Sequence, residues 1–273
     1  MKKNVLIISF CYLISFQVYG LYKEFDRSYK IDTVLVPQNT PSSVKNIAFQ
    51  RLSTREIFTK DGPEFSYGQF IQSLHYTNDS KNGDQTLKTN KGSSFQLKWN
   101  LSSNTRFQPV MSIGLKKIEY TDKTNMNIFQ PSKNLIDMGA GIRYYLGRRW
   151  NLLLNINIEQ EHFINYSTPD IEKVALSKVH LALQGQFWNA KNWSGEFLLG
   201  GYYCASKASA DLDVDAGLGY RAVVGIRKWI SALSWYRVSG YYIKEGQSVR
   251  GNGFSADVNR SSTGINLRIG TSF

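Results

Sequence analysis

The last eleven residues, Thr263-Gly-Ile-Asn-Leu-Arg-Ile-Gly-Thr-Ser-Phe273, constrain the fold most. Ile265, Leu267, Ile269, Thr271 and Phe273 share one face of an extended strand; Gly264, Asn266, Arg268, Gly270 and Ser272 share the other. Successive side chains of a strand point to opposite faces, so this alternation predicts one apolar and one polar side. Such a strand needs an apolar medium on one side and water or packed polar groups on the other. A closed membrane barrel supplies both, with lipid outside, a polar lumen inside and no unpaired edge. A soluble sandwich with one wetted face accepts the same alternation, so the rest of the chain has to decide.

The N-terminus bears on that choice. Lys2 and Lys3 precede an apolar run from Val5 to Phe16, and Val18-Tyr-Gly20 offers a cleavage site. This is the layout of a secretory signal over 1–20, cleaved near Gly20. The run is too short for a spanning helix, and no later stretch approaches about 18 consecutive apolar residues. Only Cys204 lies beyond the signal, which excludes an intrachain disulfide and a cysteine-rich metal site in the processed chain. Aromatics make up 14% of a chain whose mean hydropathy is only −0.33, a combination that fits half-apolar strands with aromatic girdles better than a soluble core. The formal net charge is +12, yet Lys and Arg form no clustered stripe, so nucleic acid is not an expected partner. The expected partners are membrane lipid and an unidentified ligand of whatever loops the fold presents outside.

Residues 21–63 alternate poorly and read as a periplasmic segment or a plug tucked into the lumen. From 64 to 273 the rhythm is regular, with strands expected near 65–77, 93–102, 105–119, 134–146, 149–163, 174–188, 193–206, 212–227, 229–244 and 260–273. Long polar connections at 78–92, 120–133, 164–173 and 245–259 alternate with tight ones at 102–104, 147–148, 189–192 and 228. Long external loops and short periplasmic turns are the habit of a transmembrane antiparallel up-and-down β-barrel, here of about ten strands, with eight or twelve as alternatives. Expected lipid-facing residues include Leu97, Trp99, Leu154, Ile156, Val179 and Leu181, and also Leu212, Val214, Leu218 and Val224. Opposite them lie Lys98, Asn155, Lys178, His180, Asp213 and Asp215.

Two stretches carry a family resemblance. Gly139-Ala-Gly-Ile-Arg-Tyr-Tyr-Leu-Gly-Arg-Arg-Trp150, followed by Asn151-Leu-Leu-Leu-Asn-Ile-Asn-Ile158, resembles the small OmpA/OmpW-like outer-membrane barrels, and Gly217-Leu-Gly-Tyr-Arg-Ala222 echoes it. The terminal Phe273, with Ile265, Leu267 and Ile269 upstream, resembles the C-terminal signature of bacterial outer-membrane barrels. The resemblance implies a fold, a place in the outer membrane with outer-membrane lipid and the barrel-assembly machinery acting on the C-terminal strand as partners, and no particular activity.

Running the strands up and down places the lumenal charges by height. Asp137, Glu159, Glu161, Asp213 and Asp215 are expected near the external mouth; Arg143, Arg221, Arg227 and Arg268 are expected lower. With the hairpin tip at Gly147-Arg148, Asp137 should face Glu159, a pairing that needs an intervening cation, an arginine or a shared proton. Interior salt bridging accounts for these groups most simply. A hard-cation site among the carboxylates is a weaker alternative. A rim hydrolase like the omptin surface proteases would need His75 or His162 beside a carboxylate. His162 has lipid-facing parity, however, and no Asp-x-His pair occurs. Tyr202-Tyr203 and Tyr241-Tyr242 read as interface belt, and Cys204 as a small wall residue. The expected function is a non-enzymatic envelope role, with no cofactor, metal or catalytic residue. A narrow solute channel comes second and a rim hydrolase third.

Overall fold

The computed structural model describes residues 61–272 apart from 79–84, 102–105, 122–132, 147–148, 167–169, 191, 210 and 232. The expected signal, nearly all of 21–63, and Phe273 therefore lie outside the described residues. Among the described residues twelve strands run in order: β1 Asp61–Asn78, β2 Gln85–Asn100, β3 Phe107–Thr121, β4 Lys133–Tyr145, β5 Trp150–Asn165, β6 Asp170–Ala190, β7 Trp193–Cys204, β8 Lys207–Ala208, β9 Leu212–Val214, β10 Gly217–Trp229, β11 Ser234–Gly251 and β12 Phe254–Ser272.

The ten long strands close into an antiparallel ring. Each pairs with the next, β7 with β10, and β12 with β1 from Asp61↔Ser272 to Asn78↔Ala256. Closure removes the unpaired edges that a lipid-embedded sheet could not tolerate. The end of the ring holding Asp61 and Ser272 is called proximal below, the other distal. The first strand begins at Asp61, three residues before the expected boundary, and that difference brings a buried carboxylate into the barrel.

Through the proximal half the alternation runs as expected. Leu154, Ile156 and Ile265 face outward and are 48%, 60% and 64% exposed, and Leu267 and Ile269 share their side of the wall. Asn155, Lys98, Lys178 and His180 face the lumen. Trp99, Phe107, Trp150, Trp188 and Trp193 are exposed at the proximal rim of this apolar band, with Tyr203, Tyr220 and Tyr242 exposed on its distal side. Amphipathic rings at both borders of an apolar belt are what a bilayer selects.

The distal half departs from expectation. β11 and β12 continue through most of the supposed 245–259 loop and turn at Asn252-Gly253, where Gly253 adopts φ 81°. A side chain there would be strained, which is why the tight hairpin falls on a glycine. The expected 212–227 strand is broken into β9 and β10, and the expected turn at 228 falls at 230–233. Leu212 and Val214 are buried rather than lipid-facing, because β9 pairs along the distal edge of β11.

A hairpin also leaves the wall here. β5 pairs with β4 only as far as Asp137↔Glu159, and β6 pairs with β7 only as far as Lys178↔Cys204. Beyond those points the described residues 160–165 and 170–175 make strand pairs only with each other, from Gln160↔Ala175 to Asn165↔Asp170. The hairpin crosses the mouth: the Ile164 N–H donates to Tyr76 Oη on β1 at 2.9 Å, and Arg260 on β12 donates to the His162 carbonyl at 3.2 Å. His162 Nδ1 lies 3.2 Å from Tyr120 Oη on β3. His162 is thus buried inside the mouth and not on the lipid side, since the inward bend overrides strand parity. Phe163, Ile164 and Ile171 join Leu74, Leu87, Ile118, Leu135, Leu176, Val249 and Val258 in an apolar cluster.

Candidate functional site

Beneath that cluster the lumen holds two groups of charged side chains. The proximal group is built on Asp61, which the ladder fixes at the very start of β1. Its carboxylate accepts from Arg143 at 2.9 Å and from Arg227 at 2.7 Å, and its backbone carbonyl accepts from Gln108 at 2.8 Å. Arg227 continues to Glu196 at 2.6 Å, and Glu196 to Arg237 at 2.7 Å. Arg227 also lies over the Trp235 ring, 4.1 Å from its centroid. Glu64 accepts from Asn100 at 2.8 Å and lies 3.6 Å from Arg268 and 4.0 Å from Lys98. A cavity of about 90 Å³ opens among these groups.

The distal group centres on Glu159. Asp137 sits directly across the β4–β5 ladder from it, and Lys116 stands between them, 2.7 Å from Asp137 and 3.8 Å from Glu159. The like charges are thus reconciled by a cation from β3. Lys178 reaches Glu159 at 3.4 Å, Glu245 at 2.8 Å, and Glu161. Arg260 pairs with both Glu161 and Glu245. His180 Nε2 lies 3.5 Å from Glu159, and its ring stacks on Tyr202. Tyr202 donates to Glu245 at 2.8 Å. Its ring lies over Gly219, where an added Cβ would fall 2.3 Å from Cζ, so the glycine of the Gly217-Leu-Gly motif makes room for it. A cavity of about 150 Å³ adjoins this group.

Closure of the ring, the outward apolar belt with an aromatic rim, and charges held inside decide the class. The fold is a transmembrane β-barrel of the outer-membrane type. The sequence matches no protein-family model and no curated protein. Similar solved structures include an outer-membrane channel from Pseudomonas putida F1, at 10% identity, covering 80% of this chain and 97% of that one with a TM-score of 0.46. The outer-membrane protease OmpT from Escherichia coli is 10% identical, covering 80% of this chain and 98% of its own, TM-score 0.41. The translocator domain of the autotransporter NalP from Neisseria meningitidis is 11% identical, covering 85% and 96%, TM-score 0.41. The resemblance to OmpA/OmpW-like barrels holds at the level of the barrel fold, here with ten long strands in the ring.

The barrel brings together most of the expected lumenal residues. Asp137 and Glu159 meet in the distal group, Arg143 and Arg268 line the proximal one, and Arg221 borders both cavities. Asp213 and Asp215 do not join them. Asp213 is exposed, and Asp215 accepts from Arg250 Nε at 3.1 Å on the outer surface, because the chain breaks between β9 and β10. Tyr202 and Tyr241 turn inward, and only Tyr203 and Tyr242 keep the expected belt position. His75 sits half-buried on the outer side of β1, 2.9 Å from Thr86, away from the lumenal carboxylates. Cys204 is buried in the wall at the end of β7.

Sequence reasoning misses Asp61, Glu64, Lys116, Glu196, Arg237, Glu245 and Arg260 as members of the network. Glu64, Glu245 and Arg260 fall at strand boundaries placed too late or too early. Continuing the period-two count through them puts all three on the lumenal side. Among the described residues no group of three or more His, Cys, Asp or Glu side chains is arranged to hold a metal. Lysines and an arginine occupy the spaces between the distal carboxylates.

Proposed function

We propose that this barrel serves the envelope without enzymatic activity, its lumen closed and its projecting distal rim engaging a partner. The observation that carries the reading is the apolar cluster at the mouth, with residues 160–176 folded across it and bonded to β1, β3 and β12. An apolar cluster of this kind excludes water, and the ion pairs beneath it fill a narrow lumen in the way small barrels do. With the C-terminus periplasmic, the distal rim faces outside. There β11 and β12 extend past the apolar belt and expose Lys244, Arg250, Asp257 and Asn259. Assembly through the C-terminal strand by the barrel-assembly machinery belongs to the same reading.

A gated solute channel is the second reading, because the capping hairpin has no strand partner on either side beyond Glu159 and Lys178. A rim hydrolase has less support: the His180–Glu159 pair lies below the apolar cluster, and His75 faces the other way. Single-channel recording in a planar bilayer, beside a heat-modifiability gel shift, separates these readings. A gel shift without steady conductance is the expected result. Steady conductance from the intact chain would put the channel reading first.

A further inference from the structure

The lumenal charges do not balance where three arginines meet. Arg227 on β10 is paired in register with Arg237 on β11, and Arg237 with Arg268 on β12. Like charges at directly opposed positions repel, and a buried cation without a counter-charge is costly. Glu196 answers Arg227 and Arg237, and Asp61 answers Arg143 and Arg227. Among the described residues Arg268 is answered only by Glu64 at 3.6 Å, a carboxylate already held by Asn100 and approached by Lys98. Arg221, six residues before Arg227 on the same strand, forms no ion pair among the described residues. Among the described residues, six cations in this half of the lumen (Lys98, Arg143, Arg221, Arg227, Arg237, Arg268) thus meet three carboxylates (Asp61, Glu64, Glu196). The distal group, by contrast, sets three cations against four carboxylates.

The unmatched donors converge. Arg221, Arg237 and Arg268 line the same cavity of about 90 Å³. Among the described residues their Nε atoms, like that of Arg143 on the same cavity, are buried without a hydrogen-bond partner, and so is the hydroxyl of Ser239, which lines that cavity too. Buried donors left unpaired are expensive enough that a native interior normally supplies an acceptor.

We propose that this cavity binds a small oxyanion, with Arg221, Arg237 and Arg268 as its charged ligands and Ser239 as a neutral donor. Guanidinium groups present paired N–H donors whose spacing matches the oxygens of a phosphate, sulfate or carboxylate. The cavity has room for one such group with a few waters. The anion is an interior counter-charge that holds β10, β11 and β12 together. It does not depend on what the distal rim engages.

The test is thermal unfolding of the full chain folded in dodecyl maltoside micelles, followed by tryptophan fluorescence. Sodium phosphate or sulfate is titrated in while sodium chloride holds the ionic strength constant. Phosphate should raise the midpoint saturably, by about 3 °C. Arg268→Gln should abolish that rise. Ser66→Asp places a carboxylate opposite Arg268 across the β1–β12 ladder. It should raise the midpoint in chloride alone and remove the phosphate response. A wild-type response to phosphate and sulfate no larger than to chloride overturns the proposal, and so does an Arg268→Gln chain that keeps the full response. If Arg268→Gln does not fold, Ser66→Asp decides alone: a retained phosphate response overturns the site.

Discussion

The proximal and distal halves of the barrel are built on the same strands with opposite polarity. On β12, Ile265, Leu267 and Ile269 face outward while Asn266 and Arg268 face the lumen; farther along, Ser255, Asp257 and Asn259 face outward while Ala256 and Val258 face in. β3 repeats the switch. Its outer Met111, Ile113 and Leu115 give way to Lys117 and Glu119, and its inner Ser112 and Lys116 to Ile118 and Tyr120. On β1 the inner face passes from Glu64, Ser66 and Gln72 to Leu74 and Tyr76. Each of these three strands exchanges an outer apolar face for an inner one at about the height where the aromatic belt ends. The proximal half is solvated by lipid outside and by its own ions inside, and the distal half by water outside and a hydrocarbon core inside. A single β-barrel is therefore a membrane protein in one half and a water-soluble one in the other.

The largest effect that tests this contrast lies in the proximal interior. Asp61→Asn keeps the shape of the side chain but leaves Arg143 and Arg227 short of a counter-charge, and breaking a buried pair in this way costs about 3–5 kcal/mol. Equilibrium unfolding in urea from detergent or vesicles reads it directly. A loss below about 1 kcal/mol, the range of exposed pairs, would mean that water screens the proximal lumen as it does a surface.

The outer faces give the next test. Leu154→Arg puts a charge on the belt, with an expected loss of about 2–4 kcal/mol at mid-bilayer depth. Asn259→Arg, on the outer face of β12 above the belt, should stay within about 0.5 kcal/mol of wild type. Equal losses from the two substitutions would place both halves in one solvent, and the contrast would fail.

How far the sequence reveals this follows from the same inversion. The proximal half is legible because its apolar parity runs unbroken through stretches such as Trp150 to Ile158, and because a single parity fixes which side each charge takes. The tight turn expected from the sequence at Gly147-Arg148 is enough to set Asp137 opposite Glu159, and the β4–β5 ladder pairs them so. The distal half resists reading because a phase change in the apolar pattern looks like a loss of pattern. Val249, Ala256 and Val258 are apolar on the inner side, where the residues below them are polar, and so pass for part of a loop. The hairpin at 160–176 is not legible at all. Its bend follows from strand pairs that neither β4 nor β7 supplies, and no local signal in Gln160-Glu-His-Phe-Ile-Asn165 records that absence.

The smallest effect, and the most specific to the distal half, concerns the contact that holds this hairpin across the mouth. Tyr76 Oη accepts the N–H of Ile164, and both residues are fully buried. Tyr76→Phe leaves the ring in the apolar cluster but orphans that N–H, which costs about 1–3 kcal/mol for a buried donor. The hairpin has no strand neighbour to share the loss, so the change should remain local. Amide hydrogen exchange should speed up at 162–165 and stay unchanged at the belt residues of β5, because opening of the hairpin is a lower-energy event than opening of the ring. If exchange rises equally through Leu152 and Leu154, then hairpin and ring open as one cooperative unit. The mouth would then be part of the barrel wall and no separable cap, and the gated-channel reading would lose its moving element.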